Sequence, residues 1–166
     1  MKYFTIEELT KSPTATRLGI SNKPSSDIVA ALERLVDNVL DPLREAWGAP
    51  IKVSSGYRCP KLNAAVGGAR GSQHMYGQAA DIHTLGDRPE DNRKLRDLLI
   101  SLNLPFDQLI DEFNCNWLHV SYRASGNRGQ ILSAKKVKGK TVYKPGLLDV
   151  SKEKVLKAIG KTLKTK

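Results

Sequence analysis

Along this chain the apolar positions change period several times, and each change marks an element. Thr5 and Glu8 stand in T-x-x-E spacing around Ile6, a reciprocal cap that predicts a short helix over 6–11. From Ser25 or Ser26 onward, Ile28, Leu32, Leu35, Val36, Val39 and Leu43 recur at spacings of three and four, which predicts a longer helix. Pro42 is expected to bend or divide it, and Gly48 with Pro50 to stop it. "PIKVSSGY" reads as a short strand with Ile51 and Val53 on one face. Between Arg58 and Gln73 the chain is rich in Gly, Ala, Asn and Ser, the composition of a loop or of a short helix flanked by loops. In "AADIH" period-two alternation puts Ala79, Asp81 and His83 on one face and Ala80 and Ile82 on the other. Leu95, Leu98, Leu99 and Leu102 predict a helix over about 89–102, and "FDQLIDEF" and "NWLHVSYR" predict two further strands.

Helices and strands are grouped rather than alternating, so the expected fold is α+β, one domain with a small antiparallel sheet flanked by helices. A length of 166 residues suits a single domain with its own core. The 40% hydrophobic and 27% charged residues describe a globular chain. The net charge of +10 is uneven: from Ala134 to Lys166 there are eleven lysines against Asp149 and Glu153. The domain is therefore expected over 1–133, with 134–166 a lysine-rich extension. No stretch approaches the roughly 20 apolar residues of a membrane-spanning helix, and "MKYFTIEELTKSPTA" lacks the apolar run of a signal peptide. Cys59 and Cys115 are too few for a disulfide framework and are expected as free thiols.

Two of the three histidines fall within "GSQHMYGQAADIH", residues 71–83. In "WLHVSY" the third, His119, shares a face with Trp117 and Ser121, opposite Leu118, Val120 and Tyr122. A catalytic zinc needs three N or O ligands and one open position. His74, Asp81 and His119 supply them if the two strands are neighbours and Gly77 lets the backbone bend. The same spacing also fits an aspartate paired with a lysine and two half-buried, hydrogen-bonded histidines. His83, two residues beyond Asp81, is expected to be peripheral.

"YFTIEELTKSPTA", "PIKVSSGYRCPKLNAAVGG", "SQHMYGQAAD" and "DQLIDEFNCNWLHVSY" together resemble the small zinc D-Ala-D-Ala carboxypeptidase family. That family includes phage and prophage endolysins that cut L-alanyl-D-glutamate bonds, and it shares the Hedgehog/DD-peptidase fold. The resemblance runs over about residues 3–133. Its S-x-H-x-x-G-x-A-x-D core is matched by Ser72, His74, Gly77, Ala79 and Asp81, and is followed by the W-x-H-V strand. The resemblance implies one zinc ion per chain on His74, Asp81 and His119, with Arg58 orienting the substrate and Ser72 and Gln108 contacting it. It also implies metal-assisted hydrolysis of peptidoglycan stem peptides, either at a terminal D-alanine or between L-alanine and D-glutamate. Arg58 would hold a substrate carboxylate or stabilise charge on the carbonyl oxygen. Such an enzyme, of phage or prophage origin, would be made in the cytoplasm and act on the wall after release, as a monomer.

One position departs from the family pattern. Several relatives carry an ionisable residue three positions before the last zinc-binding His, as general base; here it is Asn116, which cannot take a proton. Similarity to a Q-L-I-x-E branch favours Glu112, which strand alternation places beside Gln108 and Ile110; Asp111 falls on the opposite face with Leu109 and Phe113. Asn116 also supports a rival reading, a non-catalytic wall-binding module that keeps the fold. In "VSKEKVLKAIGKTLK", Val155, Leu156, Ile159 and Leu163 can share one helical face among lysines. This is a basic amphipathic helix suited to anionic envelope polymers or a membrane surface. Nucleic acid is not an expected partner, because Tyr143 is the lone aromatic of that region.

Overall fold

The computed structural model describes residues 1–147. Thr5 caps helix α1 (Ile6–Thr10), its Oγ1 accepting from Glu8 N at 3.1 Å. A second short helix, α2 (Pro13–Arg17), begins with proline at its first turn and Ser12 as its cap. The long amphipathic helix is continuous in three parts: α3 (Ser26–Leu35), a π-turn (Val36–Leu40) and α4 (Asp41–Trp47). Pro42 therefore does not divide it. The N–H of Asp41 bonds five residues back to Val36, and this wider turn just ahead of Pro42 takes up the pyrrolidine ring and the missing donor. Gly48, in the left-handed conformation at φ 72°, ends it.

The strands are β1 (Ile51–Ser55), β2 (Ala79–Thr84), β3 (Gln108–Glu112), β4 (Trp117–Ser121), β5 (Gln130–Val137) and β6 (Lys140–Pro145). Between β1 and β2 lie helix α5 (Pro60–Ala65) and a 3₁₀ turn (Gln73–Tyr76); helix α6 (Pro89–Ser101) connects β2 to β3. The single six-stranded sheet has the order β1-β2-β4-β3-β5-β6. The α+β class is as expected, but the sheet is mixed rather than antiparallel, because β5 pairs in parallel with β3. The cause is local. After the β3–β4 hairpin the chain has returned to the start of β3, and the 122–129 loop carries it to the free edge of β3, so β5 must run the same way.

Two further strands, β5 and β6, occupy part of the expected lysine-rich extension. The boundary expected at 133/134 falls inside β5, so the sheet extends to Pro145. Their turn is Lys138–Gly139, both at positive φ (49° and 77°), a two-residue primed turn that uses lysine where asparagine is usual. The amphipathic helix expected around Val155–Leu163 lies outside the described residues. No helix among the described residues is long and apolar enough to cross a membrane.

Alternation divides the sheet into two faces. Ala80, Ile82, Leu109, Leu118, Val120 and Ile131 join Leu32, Leu35, Val36, Val39, Leu40, Leu95 and Leu99 in the core. The other face carries Asp81, His119, Gln108 and Glu112. Asn92 of α6, wholly buried, ties the two strands of the site together. Its Oδ1 accepts from Thr84 N (2.8 Å) at the end of β2, and its Nδ2 donates to the carbonyls of Cys115 (2.9 Å) and Asn116 (3.0 Å) before β4. Asn92→Ala leaves these buried groups unsatisfied and is expected to cost about 2–4 kcal/mol of stability, measured as a lowered denaturant midpoint. A loss within experimental error would show that water replaces the amide.

Candidate metal centre

Asp81 and His119 are Cα partners in the antiparallel β2–β4 ladder, so their side chains leave the same face side by side. His74 comes from the 3₁₀ turn just before β2. Gly77 closes that turn at φ 65°, and a Cβ there would meet the Ile28 carbonyl at 2.7 Å, so the reversal toward β2 needs glycine. The expected convergence of the three side chains is observed. His74 Nε2 lies 3.1 Å from His119 Nδ1 and 3.2 Å from Asp81 Oδ1, and His119 Nδ1 lies 3.0 Å from the same carboxylate oxygen.

This triangle fits a metal ion. Donors about 2.0–2.1 Å from a tetrahedral zinc stand about 3.3 Å apart, close to the observed edges. The far nitrogen of His74, Nδ1, lies 2.7 Å from the Gly56 carbonyl, which can only accept, so Nδ1 carries the hydrogen and Nε2 offers its lone pair to the triangle. Gly56 can present that carbonyl because it has no side chain: a Cβ would overlap the Leu9 carbonyl, which accepts from Tyr57 N at 2.7 Å. Burial works against charge on Asp81, but the two imidazoles beside its carboxylate, those of His74 and His119, outweigh it. Its carboxyl is held far below the usual carboxylate range. Among the described residues, His74, Asp81 and His119 form the one cluster able to hold a metal.

The two acidic residues of "QLIDE" part as alternation requires. Asp111 is turned into the core, where its Oδ2 accepts from Arg96 (3.1 Å) and its Oδ1 from Cys115 N (2.6 Å). Glu112 lies on the metal face and lines the cleft, 7% exposed, and its carboxylate has no hydrogen-bond partner among the described residues. Burial pushes its carboxyl up to about 7, with repulsion from Asp81 and Asp111 adding to the effect and His119 opposing it. Asn116 belongs to the β3–β4 turn; its N–H bonds to the Glu112 carbonyl at 3.0 Å, and it does not line the cleft.

The cleft, about 710 Å³, is bordered by Arg58, Ser72 and Gln108. Burial lowers the pKa of the Arg58 guanidinium, and its Nε is buried without a partner among the described residues. Gln108 Nε2 donates to Gln130 Oε1 at 2.7 Å. His83 stands apart, with Nδ1 donating to the Thr84 carbonyl and 3.0 Å from Asp87. Both cysteines are free; Cys59 caps α5, and Cys115 is buried.

Several supporting residues were not anticipated. Buried Asp107 accepts from Gln73 Nε2 (2.9 Å), from Arg128 N (3.1 Å) and from the Arg128 guanidinium. It thereby ties the turn that carries His74 to the start of β3 and to the 122–129 loop. Gln73 beside the histidine and Asp107 beside an apolar strand were visible as polar neighbours of motif residues, but their meeting required the fold. Phe113 and Trp117 pair at the other end of the cleft, ring centroids 5.2 Å apart.

A stretch of 44 residues is 50% identical to a zinc D-Ala-D-Ala carboxypeptidase of Streptomyces albus G, covering 26% of this chain and 17% of that protein. The chain thus matches less than a fifth of that relative's length. The Peptidase M15 family profile matches residues 2–121, somewhat short of the 3–133 expected at the C-terminal side. Because that span runs from α1 through β4 and contains every donor of the triangle, the chain belongs to the Peptidase M15 family.

Proposed function

We propose that this protein is a zinc-dependent peptidase acting on the stem peptides of bacterial peptidoglycan. The observation that carries the reading is the triangle of His74, Asp81 and His119 opening into a cleft that also holds a buried, unpaired carboxylate, Glu112. The zinc and the substrate class named for the Streptomyces relative support it. Zinc, when bound, supplies Lewis acidity that polarises a carbonyl and acidifies water.

The chain's own residues supply the rest. Glu112 accepts a proton from the attacking water and returns it to the leaving amine, a task suited to a carboxylate whose pKa burial has moved toward neutrality. The unpaired Nε of Arg58 donates to a substrate carboxylate, of which stem peptides carry several, or to the developing oxyanion. Register places Gln108 and Gln130 on one side of the Asp81–His119 row and Glu112, Trp117 and Tyr143 on the other. A cleft that continues past the metal row in both directions supports cleavage of an internal bond over removal of a terminal residue. The rival reading, a binding module without hydrolysis, drew on Asn116; Glu112 in the cleft supplies the carboxylate that Asn116 lacks.

The purified protein is expected to hold one zinc per chain by elemental analysis, a zinc lost in His74→Ala and kept in His83→Ala. Retention by His74→Ala would remove the triangle as the site. Glu112→Gln is expected to keep the zinc and lower peptide release from purified wall by about 10²–10⁴-fold, the usual range for a lost general base. Full release would refute the role, and zinc retention with no release even by the unmodified protein would favour the binding module. For Arg58→Ala, a raised KM identifies a carboxylate anchor and a lowered kcat a transition-state donor; no change in either would exclude both roles.

Glu112 also links stability to pH. Its carboxyl moves from an ordinary 4.5 to about 7, so folding favours the protonated form. In the metal-free protein this penalty is absent below about pH 4.5 and grows until pH passes about 7. Glu112→Gln is therefore expected to match the unmodified protein at pH 4 and to exceed its stability by about 1–3 kcal/mol at pH 8. Equal stability at both values would show that the carboxylate is better solvated than its burial indicates.

A further inference from the structure

The matched family span ends at Ser121, yet the cleft does not. Strands β5 and β6 continue its floor. Glu112 is the Cα partner of Ala134, and Ala134 is the partner of Tyr143, so all three project on the metal face in one row. The middle member is small and wholly buried. Glu112 and Tyr143 are thus separated by two strand spacings, about 9–10 Å, over a floor of Ala134 and Leu132. Tyr143 borders the same cleft while remaining 51% exposed, and the charges of Glu112 and Asp81 reach its hydroxyl. At one end of the slot Lys136 Nζ donates to Thr141 Oγ1 at 3.0 Å and stands 5.5 Å from the centroid of the Phe113 ring.

The floor is apolar, one wall is an exposed aromatic ring, and the rim offers an ammonium and a hydroxyl. An aliphatic side chain would satisfy the floor and leave the rim unused; a flexible peptide would not need the ring. A pyranose matches all three, since it offers a C–H face to the ring and floor and hydroxyl or acetamide groups to Lys136 and Thr141. We infer that the slot between Glu112 and Tyr143 is a sugar subsite, which binds the glycan-linked end of a stem peptide while the peptide crosses the metal row. The inference rests on the peptidoglycan reading above and deepens it: Tyr143 is a specificity-determining residue that favours peptides still joined to their sugar. The hairpin carries five lysines and no acidic residue over 130–145, so the rim stays cationic on the side from which the glycan strand would enter.

The test measures binding to full-length, zinc-loaded protein carrying Glu112→Gln, so that ligands are not cleaved. Two probes of the same peptide sequence are compared by calorimetry, one joined to N-acetylmuramic acid and one free. Tyr143→Ala is expected to weaken the sugar-linked probe about tenfold, the scale of a truncated aromatic contact, and the free peptide less than twofold. Tyr143→Phe, which keeps the ring, is expected to retain the preference. Equal weakening of both probes, or none, overturns the subsite and leaves the peptidase reading standing. Failure of either probe to bind before Tyr143 is changed, together with no peptide release by the unmodified protein, overturns both.

Discussion

Asp81 and His119 face each other across β2 and β4, and because alternate residues of a strand point to opposite faces, a slip of one residue would send one of the pair into the core. The register is fixed from the core side. Ala80 and Ile82 interleave with Leu118 and Val120 against the helices, so a slipped ladder would expose the two core side chains of the slipped strand as well as dismantle the metal triangle. His74 depends on the same alignment. It reaches the triangle from a turn whose path is set by Gly77 against Ile28 and whose imidazole is aimed by the Gly56 carbonyl. Packing and ligand geometry are therefore one constraint.

The β3–β4 turn is the costly part of this arrangement. Phe113, Asn114 and Cys115 all have positive φ (52°, 65° and 61°), a conformation that costs non-glycine residues on the order of 1 kcal/mol or more each. It persists because α6 grips it. Asn92 takes the carbonyls of Cys115 and Asn116, Arg93 bonds Asn114, and the Asp111 carboxylate held by Arg96 accepts the Cys115 N–H. The turn directly follows Glu112 and directly precedes Trp117, so this grip fixes how the carboxylate enters the cleft. Asp111 and Glu112, adjacent in sequence, are thereby given opposite tasks: one anchors the turn in the core, the other is left unpaired.

The cleft has two chemical characters on either side of the metal row. Toward Gln108 and Gln130 it is built of amides and backed by the Asp107–Arg128 pair, which also holds Gln73. Toward Glu112 it is aromatic, bordered by Phe113, Trp117 and Tyr143. Burial on this second side, without a hydrogen bond to the carboxylate among the described residues, is what lifts the pKa of Glu112.

Much of this was legible in the residues. Period-two alternation put Asp81 and His119 on strand faces opposite Ile82, Leu118 and Val120 and separated Glu112 from Asp111; the amphipathic 28–43 stripe and the Thr5 cap marked their helices. The family resemblance supported His74, Asp81 and His119 as one ligand set, and His83 was set aside because three ligands complete it. What the sequence did not disclose were relations between segments distant along the chain. The parallel β3–β5 pair, the Asp107–Gln73–Arg128 link and the role of Asn92 each join residues whose local patterns are ordinary, because a hydrogen bond across the fold leaves no period in the chain. Strands β5 and β6 were hidden for a related reason: lysines on an edge hairpin read as a charged tail until their neighbours are known. Which residues could face a metal was already written in the order of the amino acids, since side-chain alternation is a local property of the backbone. That they meet is a property of the fold, because convergence depends on register and on the contacts that fix it.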